Sequence, residues 1–221
     1  MSNTSNKYGY VGAENIPVQS FANNAGIFSA NDIYDLTRAD KYTNYGQLEL
    51  IETQTVSSAV AQVDFTSIDE SIYNVHFLTF NGLELATNDS SMGARLSNDG
   101  GSTFETANYQ YAVQYYFTSG SFGEIKGTSI SSFRRFAWGD SGDVVNGYCY
   151  FYNLGDSSKY SFLTHQCPTN IETSSGTGFG YFGSQVYAVA ETINAIRLFN
   201  HNTGGNFQTQ GTISLYGIAE S

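Results

Sequence analysis

Cysteine, proline and tryptophan are all scarce in this chain: two, two and one among 221 residues. Two cysteines cannot make a disulfide framework, so stability must come from a hydrophobic core, and the length is ample for one. Cations are scarce as well. There are 9 Lys and Arg against 20 Asp and Glu, giving a net charge of −11, and none falls between Lys41 and Arg95. A nucleic-acid binder needs cations to displace counterions from phosphates, so nucleic acid is excluded as an expected partner. The same deficit argues against an anionic membrane surface. No apolar run approaches the roughly 18 residues that span a bilayer, so no membrane insertion is expected. The first ten residues, MSNTSNKYGY, lack the charged-then-apolar layout of a secretory signal, and synthesis in a cytoplasm without export by that route is expected. No H-E-x-x-H, G-x-S-x-G or phosphate-cradling glycine loop occurs, so no catalytic residue, cofactor or metal ligand is nominated and enzymatic activity is not expected.

What is present is sheet-forming. Aromatics reach 15%, with 17 Tyr and 16 Phe, and 23 glycines supply tight turns. Few charges with many aromatics is not a disordered composition. Short strands punctuated by turn residues predict an all-β chain, an antiparallel β-sandwich of about ten strands over residues 47–221. Residues 1–46 differ. They are polar, Asn-rich and without lasting period, and read as an extended arm. Within the arm, FSANDIYDL predicts one short helix over about 30–39. Ser29 is its N-cap with Asp32 three residues on, and Phe28 before the cap meets Ile33 as a hydrophobic staple. Phe28, Ile33, Tyr34 and Leu36 are the candidate anchoring residues.

Along the sandwich, Leu48 and Leu50 open a half-buried strand. Val60, Val63, Phe65, Tyr73, Val75, Phe77 and Leu78 are core candidates. Asn98-Asp99-Gly100-Gly101 supplies the positive φ angles of a hairpin turn. Ile213 and Leu215 alternate with Thr212, Ser214 and Tyr216, the two-residue period of a strand with one wet face. With Ile196 and Leu198 before it, this strand reads as half of a closing hairpin turned by HNTGGN. Cys149 and Cys167 flank a second hairpin, turning near Gly155–Ser158. Their sulfurs could face each other, and they read as reduced core residues.

Candidate chemistry is thin. His76, His165 and His201 lie far apart without a second donor at ligand spacing, so they read as strand-face residues and a turn residue rather than a metal site. Asp140, Asp143 and Asp156 sit in Gly/Ser turns, where Asp ordinarily bonds its own backbone. Asn98 and Asp99 have some likeness to a calcium loop but lack its acidic spacing. The most unusual stretch is FRRFAWGDSGD, residues 133–143. Trp138, Asp140 and Arg135 are the candidate ligand-binding residues, because a sugar stacks its apolar face on a ring and hydrogen-bonds its hydroxyls to such donors and acceptors. The competing reading, that Trp138 caps the sandwich and the arginines neutralise carboxylates or meet a neighbouring subunit, is preferred on these residues alone.

Three motifs carry a resemblance. The ending GTISLYGI, the segment FTSIDESIYNVHFLTFNGLELATN with the following LSNDGGSTF, and GIFSANDIYDL in the arm resemble parts of virion structural proteins of marine tailed bacteriophages, including cyanophages. That resemblance implies a jelly-roll sandwich displayed in many copies on a virion, often as a trimer, with other tail or capsid proteins as partners. A tail fibre or appendage anchored by its arm and engaged in host attachment is the function implied. A capsid decoration protein and a carbohydrate-binding module that recognises a host surface glycan are the alternatives.

Overall fold

The computed structural model describes residues 30–38, 48–171, 177–201, 204–208 and 210–219. The chain divides into two units, Met1–Gly46 and Gln47–Ser221. In the first, α1 spans Ala30–Arg38, with Ile33 and Tyr34 exposed. Phe28 and Ser29 lie outside the described residues, as do the side chains of Asp32 and Leu36.

The second unit holds twelve strands: β1 (Leu48–Thr55), β2 (Gln62–Phe65), β3 (Val75–Glu84), β4 (Ser90–Ser97), β5 (Tyr109–Phe117), β6 (Phe122–Ile130), β7 (Phe133–Gly139), β8 (Val144–Tyr152), β9 (Tyr160–Ile171), β10 (Thr177–Ala190), β11 (Ala195–Asn200) and β12 (Thr212–Ile218). They form an eight-stranded sheet in the order β1-β12-β3-β8-β9-β10-β5-β6 and a four-stranded sheet in the order β2-β11-β4-β7, every neighbouring pair antiparallel. The expected all-β sandwich is the fold. Two quartets, β1-β12-β3-β8 and β2-β11-β4-β7, make the double Greek key of a jelly roll. The hairpins β5-β6 and β9-β10 widen only the larger sheet. These four strands bring the eight of the jelly roll to twelve, against the ten or so expected.

The sheets close on a core rich in Phe: Phe65, Phe80, Phe133, Phe136, Phe151 and Phe207 are all fully buried. Each such ring contributes roughly 2–3 kcal/mol relative to exposure. A second, smaller cluster of Val113, Phe179 and Tyr181, flanked by Tyr115, Phe117, Ile125 and Trp138, is built from β5, β6 and β10 with Trp138 of β7 packed against it.

Several expectations are corrected by register. On β3 the buried set is His76, Leu78 and Phe80, which turns Val75 and Phe77 to the other, half-buried face. Leu48 and Leu50 are exposed, because a bulge between Leu50 and Glu52 resets the alternation of β1. The last two strands do not form a hairpin. β11 pairs with β2 and β4, whereas β12 pairs with β1 and β3 in the opposite sheet. Within β12, Ile213 and Leu215 are buried as expected. Cys149 and Cys167 are free and buried. Cys149 pairs in register with His165, which offsets the two sulfurs by two positions along β9 instead of setting them opposite.

Candidate functional site

The FRRF tetrapeptide poses a geometric problem for a strand. Strict alternation from Phe133 would bury Arg135 and expel Phe136. The chain avoids this with a β-bulge: Ala94 pairs with Phe133 and Met92 with Ala137, so two steps on β4 span four on β7. Phe133 and Phe136 are both fully buried as a result, and both arginines stay outside the core. The bulge demands a left-handed residue, and Arg135 adopts φ +60°, a conformation that a bulky L-residue takes only when its surroundings impose it.

Those surroundings are visible. Gln185, buried at the inner face of β10, accepts a hydrogen bond from the Arg134 N–H at 2.8 Å and donates its Nε2–H to the Arg134 carbonyl at 2.6 Å. One carboxamide thus satisfies both backbone groups that the bulge detaches from the ladder. Below it, the His165 ring stacks on Phe136 at 5.5 Å. Burial pulls the His165 imidazole down to about 4, against a smaller opposing effect of the Arg135 backbone.

The bulge aims Arg135 into an open cleft of about 250 Å³, lined also by Asp89, Tyr115, Phe117, Ile125, Trp138, Phe179 and Tyr181. The cleft lies where the larger sheet overhangs β7, the edge strand of the smaller one. Its rings form a chain of edge-to-face contacts, Trp138 on Phe179 at 5.3 Å and Phe179 on Tyr181 at 4.7 Å. Gly123 on β6 lets the Tyr115 ring lie flat, since a Cβ there would collide with it. The polar groups sit among these rings. Arg135 Nη1 reaches the Tyr181 hydroxyl at 3.5 Å, the long limit of a hydrogen bond, and burial raises the Tyr181 phenol. Trp138 Nε1 donates to Asp89 Oδ1 at 2.8 Å. Asp89 also adopts a left-handed backbone, φ +54°.

Of the three sequence-nominated residues, Trp138 and Arg135 meet in this cleft. Asp140 does not line it. Its Oδ1 accepts the Asp89 N–H at 2.8 Å, and its own N–H donates to Asp143 Oδ2 at 2.8 Å, so it is part of the turn that holds Asp89 in place. Asp156 likewise accepts from Ser158 and pairs with Lys159. Asp99 Oδ1 accepts the Thr103 N–H, and its Oδ2 the Thr103 hydroxyl. Asp89, Tyr115, Phe179 and Tyr181 escaped sequence reasoning. Among the described residues, no group of three His, Cys, Asp or Glu is placed to hold a metal ion.

A second aromatic surface lies on the outward face of the larger sheet. Phe77 packs between Tyr150 at 4.7 Å and Tyr216 at 6.1 Å, and Tyr148 and Tyr152 extend the row. Phe162 and Phe182 stand 44% and 40% exposed on β9 and β10. Strands β8, β10 and β12 contain no charged residue, and β9 contains only the inward-facing His165. No protein-family model, no curated protein and no solved structure matches this chain.

Proposed function

We propose that the chain is a non-enzymatic structural module of a tailed-phage particle, of the fibre or appendage type, whose sandwich is displayed and takes part in host attachment by binding a surface saccharide. The observation that supports it best is the cleft: a run of aromatic rings with an arginine and an aspartate among them. A sugar needs that combination, rings for its apolar face and convergent polar groups for its hydroxyls. The backbone conformation of Arg135 is costly, by about 1–3 kcal/mol for a bulky residue, and such outliers cluster at binding sites. Jelly rolls serve both viral capsid and lectin domains, an analogy of fold that agrees with the resemblance of the sequence motifs.

The test uses Trp138, the sole tryptophan, as its own reporter. Saccharide binding shifts or quenches its emission, and Trp138→Phe removes the signal while weakening binding about tenfold in a calorimetric titration, because the smaller ring covers less of the sugar and no longer holds Asp89, whose Oδ1 accepts from the indole N–H. A panel of saccharides that leaves the emission unchanged retires the cleft. Immunogold labelling of the particle decides its placement: label on the tail fits an appendage, whereas label over the head requires a decoration protein. The outward face favours that second reading in one respect. Two chains of net charge −11 can meet there without opposing carboxylates, so a decoration lattice or a homotrimer has a surface suited to self-contact.

A further inference from the structure

The chain has 20 carboxylates for 9 cations, yet among the described residues only Arg197 of the four arginines in the sandwich is paired with one. Asp64 accepts from the Arg197 Nε and Nη2 at 2.7 Å each, and the guanidinium lies 3.9 Å over Phe104. Arg95 lies directly opposite Arg197 across β4 and β11. Its Nε donates to the Ser131 carbonyl and its guanidinium lies 4.7 Å over Phe199, with no carboxylate partner among the described residues. Among the described residues Arg134 and Arg135 have no acidic partner either. Two like charges directly opposite on a sheet are destabilising, so this concentration is not what stability alone produces.

The three arginines converge for a structural reason. At Gly93 a Cβ would stand 2.5 Å from the Phe133 carbonyl. The start of β7 therefore lies close against β4 at that glycine, and Arg95 Nε donates to the Ser131 carbonyl just ahead of it, which puts Arg134 and Arg135 on the stretch of chain next to Arg95. His201 completes the group, its ring 6.1 Å from Phe199 and its N–H donating to the Ser91 carbonyl at 2.7 Å. Burial, then the charges of Arg134, Arg135 and Arg95, hold the His201 imidazole down to about 4. All three guanidiniums are thus near enough to act on one side chain. Two donors here are buried without an acceptor: Arg134 Nε and the hydroxyl of Ser91, which is fully buried on the Arg95 face of β4. A fully buried hydroxyl is out of a ligand's reach, but the partly exposed side chains of Arg95 and Arg134 can take an anionic oxygen that lies against this face. Around Trp138, Asp89 is engaged by the indole and Asp140 and Asp143 by backbone amides.

We infer that the saccharide of the cleft is acidic, its carboxylate or sulfate held by Arg95 and Arg134 beside the bulge while its rings lie against Trp138 and Phe179. The inference rests on the saccharide reading of the cleft, with Arg135 belonging to both surfaces. The full chain is tested against an array of neutral, uronate-containing and sulfated oligosaccharides, followed by Trp138 emission titrations of the hits at rising salt. Hits confined to the acidic classes are expected, and the array separates carboxylate from sulfate recognition. Arg95→Gln and Arg134→Gln each weaken binding about tenfold, the worth of one charge-assisted hydrogen bond, and Arg95→Lys, which keeps the charge, retains most of it. Thermal melts separate these effects from unfolding. Neutral glycans bound as tightly as acidic ones, or affinities untouched in both Gln variants, overturn the acidic inference and leave the saccharide reading standing. No saccharide of any class bound overturns both.

Discussion

The larger sheet presents two aromatic surfaces, and their differences are instructive. In the cleft, rings alternate with charges, two residues hold left-handed backbones, and a buried carboxamide and a buried imidazole support the bulge beneath. On the outward face, rings stand among hydroxyls and amides on regular strands, with no charged side chain on β8, β10 or β12. The first surface is organised by local departures from sheet geometry, the second by its repetition. A site that must orient one ligand needs the former. A face that meets another broad surface is served by the latter.

Acid should separate the two most. The folded His165 pKa lies near 4 against an ordinary 6.5, so the unfolded chain binds the extra proton first and stability falls as pH drops from about 6.5 towards 4. The contribution is roughly 3 kcal/mol by pH 4. Denaturant melts should show this slope together with that of His201, whose imidazole is likewise held down to about 4, and His165→Gln should remove the His165 share and make the slope clearly shallower. An unchanged slope in that variant would show that the imidazole under the bulge is not what acid attacks. Next in size is Gln185→Leu, which strands the N–H and C=O of Arg134 and should cost about 2 kcal/mol in the same melts, with Trp138 emission shifting as the bulge loosens. If instead the emission and stability hold, the bulge is maintained by its pairing alone.

Arg135→Gly runs the other way. Glycine takes φ +60° without strain, so the variant should gain about 1 kcal/mol while losing saccharide binding. A variant both less stable and unbound would mean that the side chain, not the backbone, anchors the strand. The smallest effect on stability, within about 0.5 kcal/mol, is expected of Phe182→Ser on the outward face. Its consequence should appear in sedimentation, as weaker self-association, and that association should strengthen with salt whereas saccharide binding weakens. Identical salt responses would erase the distinction between the surfaces.

Much of the sandwich is legible in the sequence because it is periodic. The alternation of Ile213 and Leu215 with polar neighbours, and the paired glycines after Asp99, carry their local geometry unaided. Register is not so carried. Whether His76 or Phe77 faces the core depends on which neighbour β3 pairs with, and the partner of β12 lies in a different sheet from the strand before it. The cleft was half legible. Trp138 and Arg135 stand out by rarity, and two adjacent arginines between buried rings imply a bulge that plain alternation hides. Tyr115, Phe179 and Tyr181 come from β5 and β10, where aromatics occur on both faces, so composition could not say which rings converge. Asp89 reaches the cleft because Asp140 holds its backbone amide from a turn 51 residues away, a relation that no local pattern encodes.

The insertion of β12 between β1 and β3 has a consequence for biosynthesis. A nascent chain leaving the ribosome exposes β1 and the open edge of β3 long before the strand that joins them has been made. Sheet closure at that seam is therefore a late event that follows translation of the last strand, and the unfinished edges are what a chaperone, or a neighbouring nascent copy, would meet first.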